Sequence, residues 1–529
     1  MCYSFRFPPR YHSNIYLYLG ISSFRVQISS NVNHTFAGVR YVMKRRGSGY
    51  FKLLTAELIA FAAGAHHGLF DGVSPVGDNG FLYRAKKEGI GYDEAETQFL
   101  SRCASQQELD ELFEKAAKEL ESIFYELDAL ATNHLEITFY MSLFSRLALS
   151  YVIDADRANT RGFMLGQPDE PPRDMKADMK PLWKRLLEQI ETYNKSLAGG
   201  DSPINSVRRE ISERCREFAL DSSDRGVFRL SVPTGGGKTL TSLRYAITAA
   251  HKHEKRRIFF VIPLLSVLEQ NAAAIRKAVD DDSVILEHHS NVVREKAEAG
   301  GHYQQDAQAL LMESWDSPII ITTLVQLLDS LFAGKTSRIR RMSALADSVI
   351  VIDEVQSVPR KMLSLFNMAV NFLAYFCNCQ IILCSATQPC LEAADHAVKY
   401  SENADMVKIS PEMQAVFKRT VIVDKRSKYG FSSDELADFA AICLQNHGAT
   451  LLICNKKSQA REYFALLKSR GVKAFHLSTA MCMQHRRDTL AEIQSLLDSG
   501  DSIAVLRPGF YSEEQGVIFE GHANSLLEV

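Results

Sequence analysis

The sequence feature that most constrains the fold of this chain is a glycine-rich loop. It lies between a short β-forming run and a helix-forming run. Residues 231–239 read Ser-Val-Pro-Thr-Gly-Gly-Gly-Lys-Thr and overlap the end of the run Val227 to Val232. Glycines lack a Cβ, so backbone N–H groups can approach phosphate oxygens closely, and a helix N-terminus placed there favours anions. The order of strand, loop and helix predicts an α/β domain that binds a nucleoside triphosphate.

Each polar residue of this loop has an expected role. Lys238 is predicted to reach the β- and γ-phosphates of ATP, and the Thr239 hydroxyl to ligate Mg²⁺. Thr234, Gly235, Gly236 and Gly237 are predicted to line the phosphate cradle. Val232 stands where the eight-residue form of this motif has glycine, a variant typical of superfamily 2 helicases.

Two further β-rich runs end in polar residues. Ser348 to Ile352 is followed by Asp353 and Glu354, and Gln380 to Cys384 is followed by Ser385, Ala386 and Thr387. The C-terminal ends of parallel strands form the ligand edge of an open α/β sheet. Asp353 is therefore predicted to hold Mg²⁺, and Glu354 to orient or deprotonate the attacking water. Ser385 and Thr387 are expected to sense the γ-phosphate.

The chain resembles a DExx-box helicase, a family named after a short motif that begins with Asp-Glu. Here the matching motif is Asp353-Glu-Val-Gln356. The resemblance implies that Ser266, after the run Arg257 to Ile262, contacts a nucleic-acid backbone. It implies the same for Thr322 and Thr323 in the run Ile320 to Leu328. Both runs are also typical of ordinary buried strands, and that alternative stays open.

A set of histidines and aspartates precedes the Asp353-Glu-Val-Gln356 motif in the sequence. His66 and His67 follow an apolar helical run, and Asp154 and Asp156 follow another, with His34 upstream. Imidazole nitrogens and a carboxylate oxygen suit a divalent transition metal that activates water against a phosphodiester.

This order of motifs resembles the CRISPR-associated HD nuclease-helicase of type I interference systems. The resemblance implies that His34, His66, His67 and Asp156 ligate the nuclease metal, with Asp154 as a substitute for Asp156. It implies ATP and Mg²⁺ as motor cofactors, and as partners single-stranded DNA and a CRISPR surveillance complex with its guide RNA.

The chain departs from the family at both ends. Residues 1–33 contain no His-Asp dipeptide, and Asn33 stands where the family usually has aspartate. After Val505 no arginine-finger motif is recognisable. We expect an incomplete metal site and slow or no hydrolysis, because an arginine finger contributes about a thousandfold or more. Residues 1–30 and 506–529 read like sequence from outside the family's reading frame. A frameshifted or truncated gene would give such ends.

The predicted fold is multidomain, with a helical HD-type domain followed by tandem RecA-like α/β motor domains, the second of them incomplete. Ser105-Gln-Gln-Glu108 is a capping box that predicts a helix start in the first domain. The boundaries are a first domain over 1–165, a linker and connecting helix over 166–200, and motor domains over 201–412 and 413–529.

Composition adds limits on the partners. A net charge of −2 does not indicate a nucleic-acid binder, although Lys335, Arg338, Arg340 and Arg341 form either a local basic track or a solvated face. Ten cysteines without a Cys-x-x-Cys pair indicate reduced thiols and a cytoplasmic protein. No apolar run reaches the length of a membrane span.

Three functions remain open from the sequence. The favoured one is an ATP-dependent DNA helicase or translocase fused to a metal-dependent single-stranded DNA nuclease in antiviral defence. The second is a catalytically impaired remnant that binds ATP and nucleic acid. The third is an RNA helicase, or an HD phosphohydrolase fused to an ATPase.

Overall fold

The structure is a computed structural model whose backbone is described in thirteen stretches. They are residues 34–45, 47–69, 81–86, 91–164, 175–197, 202–263, 265–289, 312–418, 421, 423–425, 430–478, 480–508 and 517–520. The chain divides into two compact units at residue 418. We describe each unit by itself.

The first unit opens with helices. In the described part before the first strand they are α1 (His34–Lys44), α2 (Tyr50–Ala65), α3 (Phe81–Lys86), α4 (Tyr92–Arg102), α5 (Gln106–Leu130), α6 (His134–Met164), α7 (Met175–Ser196) and α8 (Pro203–Asp221). The predicted capping box is confirmed, because the Ser105 hydroxyl accepts from the Glu108 N–H and the Glu108 carboxylate accepts from the Ser105 N–H. Leu109, Phe113 and Leu120 of α5 are buried at helical spacing.

A six-stranded parallel sheet forms the second half of this unit. Its strands are β1 (Gly226–Ser231), β2 (Arg257–Ile262), β3 (Ile285–His288), β4 (Ile319–Thr323), β5 (Ser348–Ile352) and β6 (Gln380–Ser385). They lie in the order β1-β6-β5-β2-β4-β3. β2, β4, β5 and β6 are buried along their whole length, which explains their continuous apolar sequences.

Helices connect and cover these strands. They are α9 (Lys238–Lys252), α10 (Leu265–Val279), α11 (Leu324–Phe332), α12 (Thr336–Ile339), α13 (Met342–Leu345), α14 (Leu363–Asn371) and α15 (Pro411–Val416). Parallel strands require such crossovers, so strand ends with functional residues gather at one edge of the sheet.

The opening helices and the sheet domain share one apolar core. Tyr140 of α6 stacks on Phe372 with ring centroids 6.4 Å apart, and Phe144 meets Phe376 edge-on at 5.7 Å. All four side chains belong to the same buried cluster. The helical region is therefore packed directly against the sheet domain.

The second unit is a smaller α/β fold. It contains α16 (Ser433–His447), β7 (Ala449–Cys454), α17 (Lys457–Ser469), β8 (Ala474–His476), α18 (Met483–Asp498), β9 (Ile503–Pro508) and β10 (Val517–Glu520). Its sheet has the order β10-β7-β9-β8, with β10 antiparallel to β7 and the other pairs parallel.

The predicted combination of a helical region with parallel-sheet α/β folding is confirmed. The HD assignment, the domain boundaries and the incompleteness of the second motor domain stay predictions. Within the described residues, no helix is both long and apolar enough to span a bilayer.

Candidate nucleotide site and metal-ligand cluster

The glycine-rich loop has the backbone geometry that its sequence predicts. Gly235 and Gly237 have φ angles of 79° and 82°, in the left-handed region that favours glycine. A Cβ on Gly236 would lie 2.4 Å from Val232 Cγ1 and 2.9 Å from the Pro233 carbonyl oxygen. Gly237 then caps α9, whose first residue is Lys238. Gly235 and Gly237 thus have the conformation that glycine permits, and the structure leaves no space for a side chain at Gly236.

The three motif-bearing strands are neighbours in the sheet. β6 lies between β1 and β5, and all three run parallel, so the loop, the acidic pair and Ser385 meet at the same edge. Lys238 Nζ lies 2.5 Å from Glu354 Oε1. Two residues that lie 116 positions apart in the sequence are therefore in direct contact.

A hydrogen-bond chain continues from this pair towards β6. Gln356 Nε2 donates to Glu354 Oε2 at 2.5 Å, and Ser385 Oγ donates to Gln356 Oε1 at 2.7 Å. The Thr387 N–H donates to Ser385 Oγ at 3.0 Å. Glu354 itself has a φ of 47°, an uncommon conformation for a residue with a side chain. The acidic pair is thereby linked to the predicted γ-phosphate sensor.

The two carboxylates differ in their electrostatics. Burial raises the pKa of Asp353, and the neighbouring Glu354 charge adds to that effect while Lys238 opposes it. Burial would also raise the pKa of Glu354, but the hydrogen bond and charge of Lys238, with help from Gln356, hold that pKa below its usual value. The lowered pKa keeps Glu354 ionised at neutral pH, which is the state that a base or water-orienting group requires.

The sequence interpretation missed Asn271. Its Oδ1 accepts from Thr239 Oγ1 at 2.9 Å, and its Nδ2 donates to Asp353 Oδ2 at 3.3 Å. Thr239 and Asp353 are the two predicted Mg²⁺ ligands, and one amide side chain spans the gap between them. A hydroxyl and a carboxylate are oxygen donors, the kind of ligand that Mg²⁺ prefers. The only signal in the sequence is a polar residue on an apolar helix close after Ser266.

Arg208 was also missed as a loop contact. Its Nε donates to the Gly235 carbonyl at 2.7 Å, which ties α8 to the glycine-rich loop.

The side chains predicted to contact nucleic acid differ from one another in their surroundings in the structure. Thr322 is fully buried and donates to the His288 carbonyl at 2.9 Å. Thr323 caps α11 by accepting from the Gln326 N–H at 3.2 Å. Ser266 belongs to α10, but its side chain lies outside the described residues. In this conformation Thr322 has a structural partner and does not face solvent.

The arginines of the possible basic track are engaged in ion pairs or buried contacts. Arg338 pairs with Asp329, and Arg340 Nε lies 2.7 Å from Asp154 Oδ1. Arg341 donates to the Gln326 side chain at 2.8 Å, and its burial lowers its pKa to about 10. These side chains hold the fold together, which does not support an open basic track.

His66, His67 and Asp156 converge in the helical region. Each offers a ligand atom, and these atoms all lie within 4.8 Å of one another. His66 Nδ1 lies 2.7 Å from the Ala63 carbonyl oxygen, which can only accept, so Nδ1 carries the proton and Nε2 is directed to act as a ligand. Two imidazoles and one carboxylate suit a divalent transition metal. The pairing of Asp154 with Arg340 distinguishes it from Asp156, and the side chain of His34 lies outside the described residues.

Comparisons with known proteins agree with the motor geometry. The DEAD/DEAH box helicase family matches residues 210–395, which include the loop, the acidic pair and Ser385. The CRISPR-associated nuclease/helicase Cas3 of Haloferax volcanii is 27% identical over 233 residues, covering 39% of this chain and 25% of that protein. This chain contains a Cas3-like DEAD/DEAH-box helicase domain.

Solved structures share the fold of this Cas3-like chain. The crystal structure of T. fusca Cas3-ATP aligns with a TM-score of 0.56 at 14% identity, over 94% of this chain and 62% of the other. A chain of a CRISPR RNA-guided surveillance complex, pre-nicking, aligns with a TM-score of 0.50 at 14% identity, over 93% and 60%. The Cas3-like chain thus spans about three fifths of the length of these structural relatives.

Proposed function

We propose that this chain is an ATP-dependent DNA helicase or translocase that acts in CRISPR antiviral defence. The observation that carries the proposal is the convergence of Lys238, Thr239, Asp353 and Glu354 at one edge of the first sheet. Further support comes from the Haloferax relative, which is a CRISPR-associated nuclease/helicase, and from the T. fusca relative, which was solved with ATP.

The proposed chemistry is phosphoryl transfer to water, in which positioning and charge stabilisation do most of the catalysis. Lys238 would exchange its contact with Glu354 for the β- and γ-phosphates, which releases the Glu354 carboxylate to orient the attacking water. Thr239 and Asp353 would hold Mg²⁺, which neutralises developing phosphate charge when bound. Ser385 would report the change at Glu354 through Gln356.

The test is ATP turnover with and without single-stranded DNA, measured together with equilibrium nucleotide binding, in the wild type and in Lys238→Ala. We expect DNA to stimulate turnover in the wild type. Lys238→Ala is expected to weaken nucleotide binding by roughly 10- to 100-fold, because it removes a charge-assisted contact worth about 1.5–3 kcal/mol. Lys277→Ala, an exposed lysine of α10, is the matched control and should behave as the wild type.

The same assay separates the alternatives. Nucleotide binding that depends on Lys238, without any turnover, would favour the binding remnant. Stimulation by single-stranded RNA but not DNA would favour an RNA helicase.

We also propose that the helical region is a metal-dependent nuclease for single-stranded DNA. The support is the convergence of His66, His67 and Asp156, with the His66 tautomer fixed by Ala63. The guide-RNA surveillance complex would be the partner that presents the DNA strand.

Loss of one ligand should weaken metal binding and, with it, DNA cleavage. His66→Ala and Asp156→Ala are expected to weaken Mn²⁺ binding by at least the roughly 10- to 100-fold that loss of an outer partner costs. Calorimetric titration with Mn²⁺, alongside cleavage of labelled single-stranded DNA, measures the two effects. His134→Ala, an exposed histidine on α6, is the control. Unchanged Mn²⁺ affinity in both ligand variants would contradict the proposed cluster.

A further inference from the structure

The geometry points to Asn271 as a positioning residue that presents both Mg²⁺ ligands of the nucleotide site. This inference deepens the proposed ATPase and rests on it. Asn271 lies on α10, outside the glycine-rich loop and the acidic box, yet it contacts one predicted magnesium ligand from each of them.

The hydrogen bonds fix the orientation of the Asn271 amide. An ionised carboxylate only accepts, so the amide group facing Asp353 Oδ2 must be the NH₂ of Asn271. The carbonyl oxygen Oδ1 then faces Thr239 and can only accept, which requires the Thr239 hydroxyl to donate its proton to Asn271.

This orientation leaves the right atoms available for a cation. A hydroxyl has one proton and two lone pairs, and only a lone pair binds Mg²⁺. Because Asn271 accepts the Thr239 proton, the lone pairs of Thr239 are turned away from the amide. Asp353 Oδ2 is held by the same amide, while Oδ1 accepts from the Glu354 N–H at 3.0 Å. Both ligands are thus oriented before the metal arrives.

A packing role for Asn271 is the competing explanation. An apolar side chain of similar size would fill the same half-buried position on α10, whereas only an amide both donates to a carboxylate and accepts from a hydroxyl. The two explanations differ in their effect on Mg²⁺: a packing residue changes stability, and a positioning residue changes metal affinity. Outer partners of metal ligands typically contribute about 10- to 100-fold to that affinity.

The experiment measures binding of a fluorescent ADP analogue to the full chain as Mg²⁺ is titrated. Asn271→Leu keeps the volume and removes both hydrogen bonds. For this variant we expect half-maximal binding of the analogue to need at least about 10-fold more Mg²⁺. Affinity for the analogue without Mg²⁺ should stay as in the wild type. Gln270→Leu changes the preceding, exposed amide and is the matched control. Asn271→Ala, which favours helix and adds no bulk, decides the matter if the leucine variant does not fold.

The outcomes separate this inference from the proposed function. If the wild type shows no Mg²⁺-dependent nucleotide binding, the ATPase proposal itself fails. If the wild type does and the Asn271 variants need no more Mg²⁺ than Gln270→Leu, only the role of Asn271 is overturned. An equal loss of affinity with and without Mg²⁺ would likewise assign Asn271 to packing.

Discussion

Replacing Glu354 by glutamine is expected to slow ATP turnover by about 10²- to 10⁴-fold while nucleotide still binds. Glutamine is nearly isosteric and its Oε1 can still accept from Lys238, so the loop should keep its geometry. It cannot accept a proton from water. The loss should therefore appear in kcat, with little change in the nucleotide affinity.

Steady-state hydrolysis and equilibrium binding of the same nucleotide separate these effects. Glu402→Gln, an exposed carboxylate of the same unit, is the control for charge removal. The pKa of Glu354 is held below its ordinary 4.5, so this group stays ionised at neutral pH. A Glu354→Gln variant with turnover close to the wild type would contradict the proposed base.

Replacing Lys255 by methionine is expected to destabilise the first unit by about 3–5 kcal/mol. Lys255 and Asp347 are both completely buried, with Nζ 3.2 Å from Asp347 Oδ1 and 2.7 Å from the Asn378 carbonyl oxygen. Methionine keeps the volume but leaves the Asp347 carboxylate buried without its lysine. Adding Asp347→Asn removes the second charge, and the double variant should recover part of the lost stability. Asparagine also tolerates the positive φ of 55° at this position.

Tryptophan fluorescence during urea unfolding measures the free energy of unfolding of the first unit. The chain has two tryptophans, Trp183 and Trp315, and both are buried in the first unit. Trp183 also donates to the Lys255 carbonyl, so it reports on the site directly. Lys180→Met breaks the exposed pair with Glu254 and should cost no more than about 1 kcal/mol. A similarly small effect of Lys255→Met would contradict the assignment of a structural ion pair.

The motor elements were predictable because their local sequences carry their own signals. Triple glycine before Lys238 permits the φ angles of the loop, and the β-branched runs before Asp353 and Ser385 form buried parallel strands. Asn271, Arg208 and Lys255 gave no such signal, because each acts through a partner far away along the chain. Thr322 shows the opposite case: a small hydroxyl at a strand end looks available in the sequence, but in the structure it donates to a carbonyl of a neighbouring strand.

The sequence alone determined the type of each functional group and the order of the elements, since backbone freedom, β-branching and side-chain chemistry are local properties. The tertiary structure decided which groups meet. It brought Lys238 to Glu354, paired Asp154 with Arg340, and set Asn271 between the two predicted magnesium ligands Thr239 and Asp353. These outcomes depend on strand order and helix packing, which bring distant residues together and which no single stretch of sequence encodes.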